Sequence, residues 1–211
     1  HLEDGVAYRD MAVVVRSTPM LEPVRRALLH AGVPVMLNPT DVVLGEQRIV
    51  AALLTGLRAL DQELTPAQWR DFLLGPVGGA GPVTLRRLLR GLRRWEPEVR
   101  AEESLRRLLL SPAELPDFGP VLTDRELSIL TRVRRGLDAA RRAQADGGSV
   151  EEVLWALWHA TGLSDHLLAV ALRGGASGSR ADRDLDAVMA LFDAAGDFTE
   201  RRAAAGVDLS L

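Results

Sequence analysis

Residues 11–37 read MAVVVRSTPMLEPVRRALLHAGVPVML, and this stretch decides the fold that the sequence predicts for the start of the chain. The run from Met11 to Arg16 is apolar and β-branched without polar alternation, which is typical of a strand buried on both faces of a parallel sheet. A helical pattern follows and ends at Gly32, a residue type favoured at helix C-termini. A second extended run begins at Val33, so the stretch predicts a compact βαβ unit.

Beyond Pro39 the sequence predicts helices almost throughout. Helix starts are marked by capping-box patterns, in which a Ser or Thr precedes a Glu or Gln by three residues, at Thr65, Thr123 and Ser149. Apolar residues at helical spacing predict helices over 49–60 and around 185–192. Glycine-rich stretches at 147–148 and 174–179 predict loops. The predicted fold class is therefore mostly α with a small α/β start.

The composition excludes some kinds of chemistry. Of the 211 residues, 47% are hydrophobic and 26% are charged, which is ordinary for a globular chain. The sequence shows neither a membrane-spanning run nor a signal peptide, and it has no cysteine, so we expect a cytoplasmic protein. It also has no lysine. A P-loop and a Schiff-base site both need a lysine, so neither can be built from this chain.

Positive charge is concentrated in two segments, although the net charge is −3. Residues 86–107 contain eight arginines and four glutamates, a balance of +4. Residues 125–142 contain six arginines, one glutamate and one aspartate, again +4. A surface that coats nucleic acid uniformly is therefore disfavoured, whereas a local basic patch is favoured.

Arg16 is the first candidate functional residue, because it follows the first predicted strand. In open α/β sheets the carboxyl ends of the strands face bound ligands. An arginine at that edge can reach a phosphate that a neighbouring domain holds. The alternative is a surface arginine in a strand-to-helix turn.

Residues 11–35 resemble motif IV of the UvrD/Rep/PcrA-type superfamily 1A DNA helicases, which opens their second RecA-like domain, called 2A. The resemblance implies that Arg16 is a catalytic residue, an arginine finger that stabilises charge on the γ-phosphate of ATP held by the first RecA-like domain. The chain departs from the family at Glu22, where a second arginine is usual. It departs again within residues 46–54, where Arg48 replaces a usual Glu, so only the helix is carried over there.

Residues 76–88 form the second candidate site. A Gly-Ala-Gly turn that leads into a helix allows backbone N–H groups to approach a phosphate, and the helix dipole favours the anion. The stretch resembles the helix-hairpin-helix type loop that the inserted domain 2B of these helicases presents to duplex DNA. The residues predicted to bind DNA are Gly79, Gly81, Thr84, Arg86, Arg87 and Arg90, with Arg93 and Arg94 extending the set. The alternative is a glycine-rich turn followed by a solvated arginine face.

The resemblance covers most of the chain and implies its division into segments. Residues 1–60 correspond to part of the RecA-like domain 2A, 61–195 to a helical 2B-like domain, and 196–211 to a return toward 2A that is truncated. Residues 1–35 and 68–92 are most similar to the actinobacterial AdnA/AdnB helicase–nucleases, which process double-strand breaks.

The function implied is that of a fragment of an ATP-dependent DNA helicase or translocase in DNA repair or recombination. ATP and Mg²⁺ would act in the parent protein, and the fragment alone is expected to be inactive. The implied partners are DNA at a single-stranded/duplex junction, the remaining helicase domains in cis, and a second helicase–nuclease subunit; no membrane is expected. One alternative is a helical protein-docking or autoregulatory module without DNA contact. Another is a free-standing helix-hairpin-helix protein, which leaves the βαβ start unexplained.

Several other polar residues are interpreted as structural. His159 and His166 are predicted two turns apart on one apolar helix, without the spacing or carboxylate of a zinc site. Asp182, Asp184 and Asp186 alternate as in a calcium loop, but the glycine and the distal glutamate of such a loop are missing. No metal site is therefore predicted.

Trp155 and Trp158 lie at helical spacing within one predicted helix. Exposed tryptophans can stack on the bases of single-stranded nucleic acid. A tryptophan pair at this spacing is more typical of a helix face packed into the core. We therefore predict that both side chains are core residues.

Overall fold

The computed structural model describes residues 6–8, 11–16, 20–35 and 44–204. The chain divides into two compact units, His1–Val43 and Leu44–Leu211, here called the N-terminal unit and the helical unit. Helix α2 (Arg48–Asp61) belongs to the helical unit. The sequence predicts that most of this helix belongs to the segment 1–60, together with motif IV.

The N-terminal unit contains one helix, α1 (Leu21–His30), among its described residues. As predicted, Gly32 terminates this helix: it lies two residues beyond His30 and has φ +74°. The N–H of Gly32 donates to Leu29 and that of Val33 donates to Leu28, at 3.0 and 2.9 Å. This pair of bonds is a Schellman motif, which satisfies the last carbonyls of a helix.

The two strands of the predicted βαβ unit are not found in the described residues. Within the described ranges, residues 11–15 and 33–35 have no sheet partner, and a strand requires a hydrogen-bonded neighbour. Burial on both faces is also not found, because Val14 is 93% exposed and Val13 is 61% exposed. Residues 17–19 and 36–37 of the predicted unit lie outside the described residues.

The helical unit begins with a 3₁₀ turn, Leu44–Glu46, and continues as helices. Their bounds are α2 (Arg48–Asp61), α3 (Pro66–Leu74), α4 (Pro82–Trp95), α5 (Ala101–Leu110), α6 (Asp124–Ala145), α7 (Val150–Ala160), α8 (Leu163–Leu172) and α9 (Gly175–Ala204). In the described part of the chain no helix is both long and apolar enough to cross a bilayer.

The core of the helical unit lies between α2, α6 and α7. Helix α6 buries an apolar stripe at helical spacing, and α7 buries an apolar face against it. The side chains of Leu130, Leu137, Leu154 and Leu157 are at most 1% exposed. Because each helix buries one stripe, the polar residues of every helix are left on predictable faces.

All three predicted capping boxes are present. Thr65 Oγ1 accepts a hydrogen bond from the N–H of Gln68 at 3.3 Å, and Ser149 Oγ accepts one from the N–H of Glu152 at 3.2 Å. At the start of α6, Glu126 accepts from the N–H of Thr123 at 2.9 Å. Local side-chain bonds of this kind fix a helix start without tertiary help.

Two predictions about the later helices are wrong. Residues 175–179 are helical rather than a loop, because Gly178 packs closely against the end of α8, where a Cβ would lie 3.0 Å from the carbonyl oxygen of Ala171. His159 and His166 are also not on one helix. The chain breaks between α7 and α8 at Gly162, which has φ +69°. Of residues 196–211, where a truncated return was expected, 196–204 belong to α9 and 205–211 lie outside the described residues.

Candidate nucleic-acid interface

The glycine loop that precedes α4 has a fixed shape. The N–H of Gly79 donates to the carbonyl of Gly75 at 2.7 Å, and that of Ala80 donates to Leu73 at 2.9 Å. Gly78 is buried, and a Cβ there would lie 2.2 Å from the carbonyl oxygen of Leu73. Gly79 has φ +61° and is exposed at the tip of the loop.

Helix α4 starts directly after this loop without a side-chain cap. Gly81 is its N-cap and Pro82 occupies its first turn, so the glycine turn leads into a helix, as the sequence predicts. The first N–H groups of a helix have no intrahelical acceptor, and they carry the positive end of the helix dipole. The uncapped start of α4 therefore favours an anion.

The three residues matched to the helix-hairpin-helix pattern differ in exposure. Gly79 is exposed and Gly81 is half-buried. Thr84 is only 6% exposed, so its side chain packs toward the core. A direct side-chain contact of Thr84 with DNA is therefore disfavoured, and its N–H at the helix start is the group that can reach a phosphate.

The arginines of α4 form one exposed stripe. All five predicted side chains are exposed, namely Arg86, Arg87, Arg90, Arg93 and Arg94. At about 100° per residue they span an arc of about 120° and about 12 Å along the helix axis. The opposite face is buried through Leu85, Leu88 and Leu92. We call the exposed face the α4 arginine stripe.

No carboxylate forms an ion pair with the α4 arginine stripe in the described part of the chain. Residues 72–95 themselves contain no aspartate or glutamate. Arg87 acts on Glu126 only through space. The pKa of Glu126 is lowered mainly by the hydroxyl of Thr123, and Arg87 contributes the smallest effect. The positive charge of the stripe is thus available to an external anion.

The second basic segment has a structural role. Three arginines of α6 donate to carbonyl oxygens outside α6: Arg132 to Gly78 in the glycine loop, Arg134 to Ala113 in the α5–α6 connection, and Arg135 to Ala160, the last residue of α7. Arg134 and Arg141 also pair with Asp138, at 3.4 and 2.9 Å. These guanidinium groups attach neighbouring segments to α6, and their hydrogen bonds are made within the protein.

Arg132 is a candidate functional residue that the sequence did not reveal. Its guanidinium donates to the carbonyl of Gly78, 54 residues away. Its pKa is lowered, first by burial and then by the neighbouring Arg135. No carboxylate neutralises it within the described residues, and its Nε is buried without a partner. A positive charge therefore lies directly behind the glycine loop, next to Gly79.

Arg16, the predicted arginine finger, lies in the N-terminal unit. It is exposed at the end of the extended run 11–15. An exposed guanidinium fits the role of reaching a phosphate held elsewhere. The chain has no lysine to bind a triphosphate itself. The described residues also contain no group of three or more His, Asp or Glu side chains placed to hold a metal ion.

Comparisons with known proteins give no family for this chain. No protein-family model matches it, and no curated protein matches it significantly.

Proposed function

We propose that the helical unit is a DNA-contacting accessory domain, and that it binds the sugar–phosphate backbone of duplex DNA next to a single-stranded junction. The observation that carries this proposal is the α4 arginine stripe, which is exposed, has no ion-pair partner among the described residues, and is adjacent to an uncapped helix start. The glycine loop and Arg132 support it, since they add a backbone approach and a further positive charge at the same end of α4.

The mode of binding follows from the chemistry of the stripe. Arginines bind phosphates by charge and hydrogen bonds, and such contacts position a protein without reading base sequence. The net charge of −3 does not oppose this, because the carboxylates lie outside residues 72–95. Association is expected to weaken steeply with salt, since each neutralised phosphate releases counterions.

For the chain as a whole, we propose that it is part of a superfamily 1A DNA helicase that acts in repair or recombination. In that setting the N-terminal unit belongs to a RecA-like domain, and the extended runs at 11–15 and 33–35 pair with strands from the rest of that sheet. Arg16 binds an oxygen of the γ-phosphate of ATP that the other RecA-like domain holds. ATP hydrolysis supplies the energy for movement along DNA. The exposure of Arg16 supports this assignment.

The binding test compares two triple variants of equal charge change. Arg86→Ala, Arg87→Ala and Arg90→Ala together remove the centre of the stripe, whereas the control triple removes three other exposed arginines, Arg142, Arg173 and Arg201. Fluorescence anisotropy with a labelled, tailed duplex measures the affinity. We expect the stripe variant to bind about 10- to 100-fold more weakly than the control. Equal affinities of the two variants would contradict the proposal.

A further inference from the structure

A second exposed surface lies between α7 and α9. Trp155 was predicted to be a core residue, but its side chain is 55% exposed, whereas Trp158 is 4% exposed, as predicted. The Trp155 ring stacks on His159 at 5.8 Å with an interplanar angle of 5°, and it contacts Phe192 edge-on at 5.8 Å. The indole therefore lies at the boundary of two helices with much of its surface open to solvent.

Met189 extends this surface along α9. It lies one turn before Phe192, and residues three apart on a helix are neighbours. Its side chain is 64% exposed, although methionine is an apolar residue that favours burial. We call Trp155, His159, Met189 and Phe192 the α7–α9 patch.

Carboxylates surround the α7–α9 patch. Glu151 lies one turn before Trp155, and Asp186 and Asp193 flank Met189 along α9; all three are exposed. The carboxylate of Glu151 points toward α9, since it is 3.6 Å from where a Cβ of Gly196 would lie. None of these carboxylates has an ion-pair partner in the part of the chain whose side chains are described. Residues 184–200 contain five carboxylates and no basic residue.

We propose that the α7–α9 patch is a docking site for a basic amphipathic helix of another protein. Exposed aromatic and Met side chains anchor protein interfaces, and an amphipathic helix presents an apolar face that can pack on such a surface. The unpaired carboxylates select the charge of the occupant, because a cationic helix gains attraction where an acidic one is repelled. The same charges repel nucleic acid, so this surface is distinct in partner and position from the α4 arginine stripe.

The test uses synthetic peptides and isothermal titration calorimetry with the full chain. The probe is an arginine-rich peptide with leucines at i, i+3, i+4 and i+7, and its control has the same composition with the leucines dispersed around the helix. We expect the probe to bind and the control to bind at least 10-fold more weakly. Trp155→Ala should lower the affinity for the probe peptide by a similar factor. The double variant Glu151→Gln, Asp193→Asn should reduce both the affinity for the probe and the salt dependence of its binding.

Leu172→Ala, which removes an exposed apolar side chain from α8, serves as the matched surface control and should leave binding unchanged. Equal binding of the two peptides, or binding that survives Trp155→Ala, overturns the proposal. Two other occupants are tested in parallel. A dimer in sedimentation that Trp155→Ala dissociates would assign the patch to a second copy, and oligonucleotide binding lost in the same variant would assign it to nucleic acid. Either result also overturns the proposal.

Discussion

Arg132 is the residue whose environment says most about the proposed interface. Its guanidinium is partly buried between α6 and the glycine loop, and it donates a hydrogen bond to a backbone carbonyl rather than to a carboxylate. A buried cation that lacks an acidic partner is costly. The hydrogen bond to the Gly78 carbonyl compensates part of this cost, and the unneutralised charge increases the positive potential at the start of α4. In the proposed interface, Arg132 therefore contributes both to the stability of the loop and to DNA binding.

Substitution of Arg132 tests this coupling. Arg132→Ala leaves the carbonyl of Gly78 without its donor, so we expect the free energy of unfolding to fall by about 1.5–3 kcal/mol. DNA affinity should fall as well, because the loop loses its support and a positive charge is removed. Urea unfolding and anisotropy measure the two effects. Arg142→Ala, an exposed arginine of the same helix, is the control, and a stability of Arg132→Ala equal to this control would contradict the role assigned to Arg132.

Among the secondary-structure elements, the sequence correctly predicted the helix starts and ends that are fixed by hydrogen bonds between residues close together in the chain. The caps at Thr65, Thr123 and Ser149 and the end of α1 at Gly32 are confirmed, because each uses hydrogen bonds within a few residues. The start of α9 was missed, because the helix there depends on close packing of Gly178 against α8. Propensity alone favours a loop in such a glycine-rich stretch.

The capping box of α6 predicts a pH dependence of stability. Hydrogen bonds from Thr123 lower the pKa of Glu126 from its ordinary value of 4.5 in the folded state. The resulting stabilisation is therefore present above pH 4.5 and is lost as the pH falls through the folded-state pKa. Glu126→Gln keeps a capping-box side chain but cannot titrate.

We expect the free energy of unfolding of the wild type to fall more steeply below pH 4.5 than that of Glu126→Gln. Chemical unfolding measured at several pH values gives the two curves. Glu114→Gln, which changes an exposed carboxylate in the α5–α6 connection, is the control. Parallel curves for the wild type and Glu126→Gln would show that this capping box does not contribute to the acid sensitivity.

At the scale of the whole molecule, charge is segregated between helices. Helix α4 carries five exposed arginines, whereas residues 184–200 of α9 carry five carboxylates. The sequence predicted the first of these features as part of the basic segment 86–107. It could not distinguish that segment from 125–142, because the burial of Arg134 and the contacts of Arg135 with α7 are set by tertiary packing. The exposure of Trp155 was missed for the same reason.

The proposed role as part of a helicase predicts that the isolated chain does not hydrolyse ATP. Without a lysine it cannot form the P-loop that holds the phosphates of ATP in P-loop NTPases. Phosphate release from ATP should therefore remain at background, both alone and with a tailed duplex. DNA-stimulated ATP hydrolysis by the purified chain would contradict the assignment of Arg16 to an ATP site completed by another domain.

The central claim is that α4 binds DNA phosphates directly, and the salt dependence of binding tests it. The logarithm of the association constant for a tailed duplex is measured against the logarithm of salt concentration, for the wild type and for the Arg86, Arg87 and Arg90 triple alanine variant. Each lost phosphate contact lowers the slope by about 0.9, so the variant should have a slope smaller in magnitude by about 2–3. Equal slopes for the two proteins would contradict the claim.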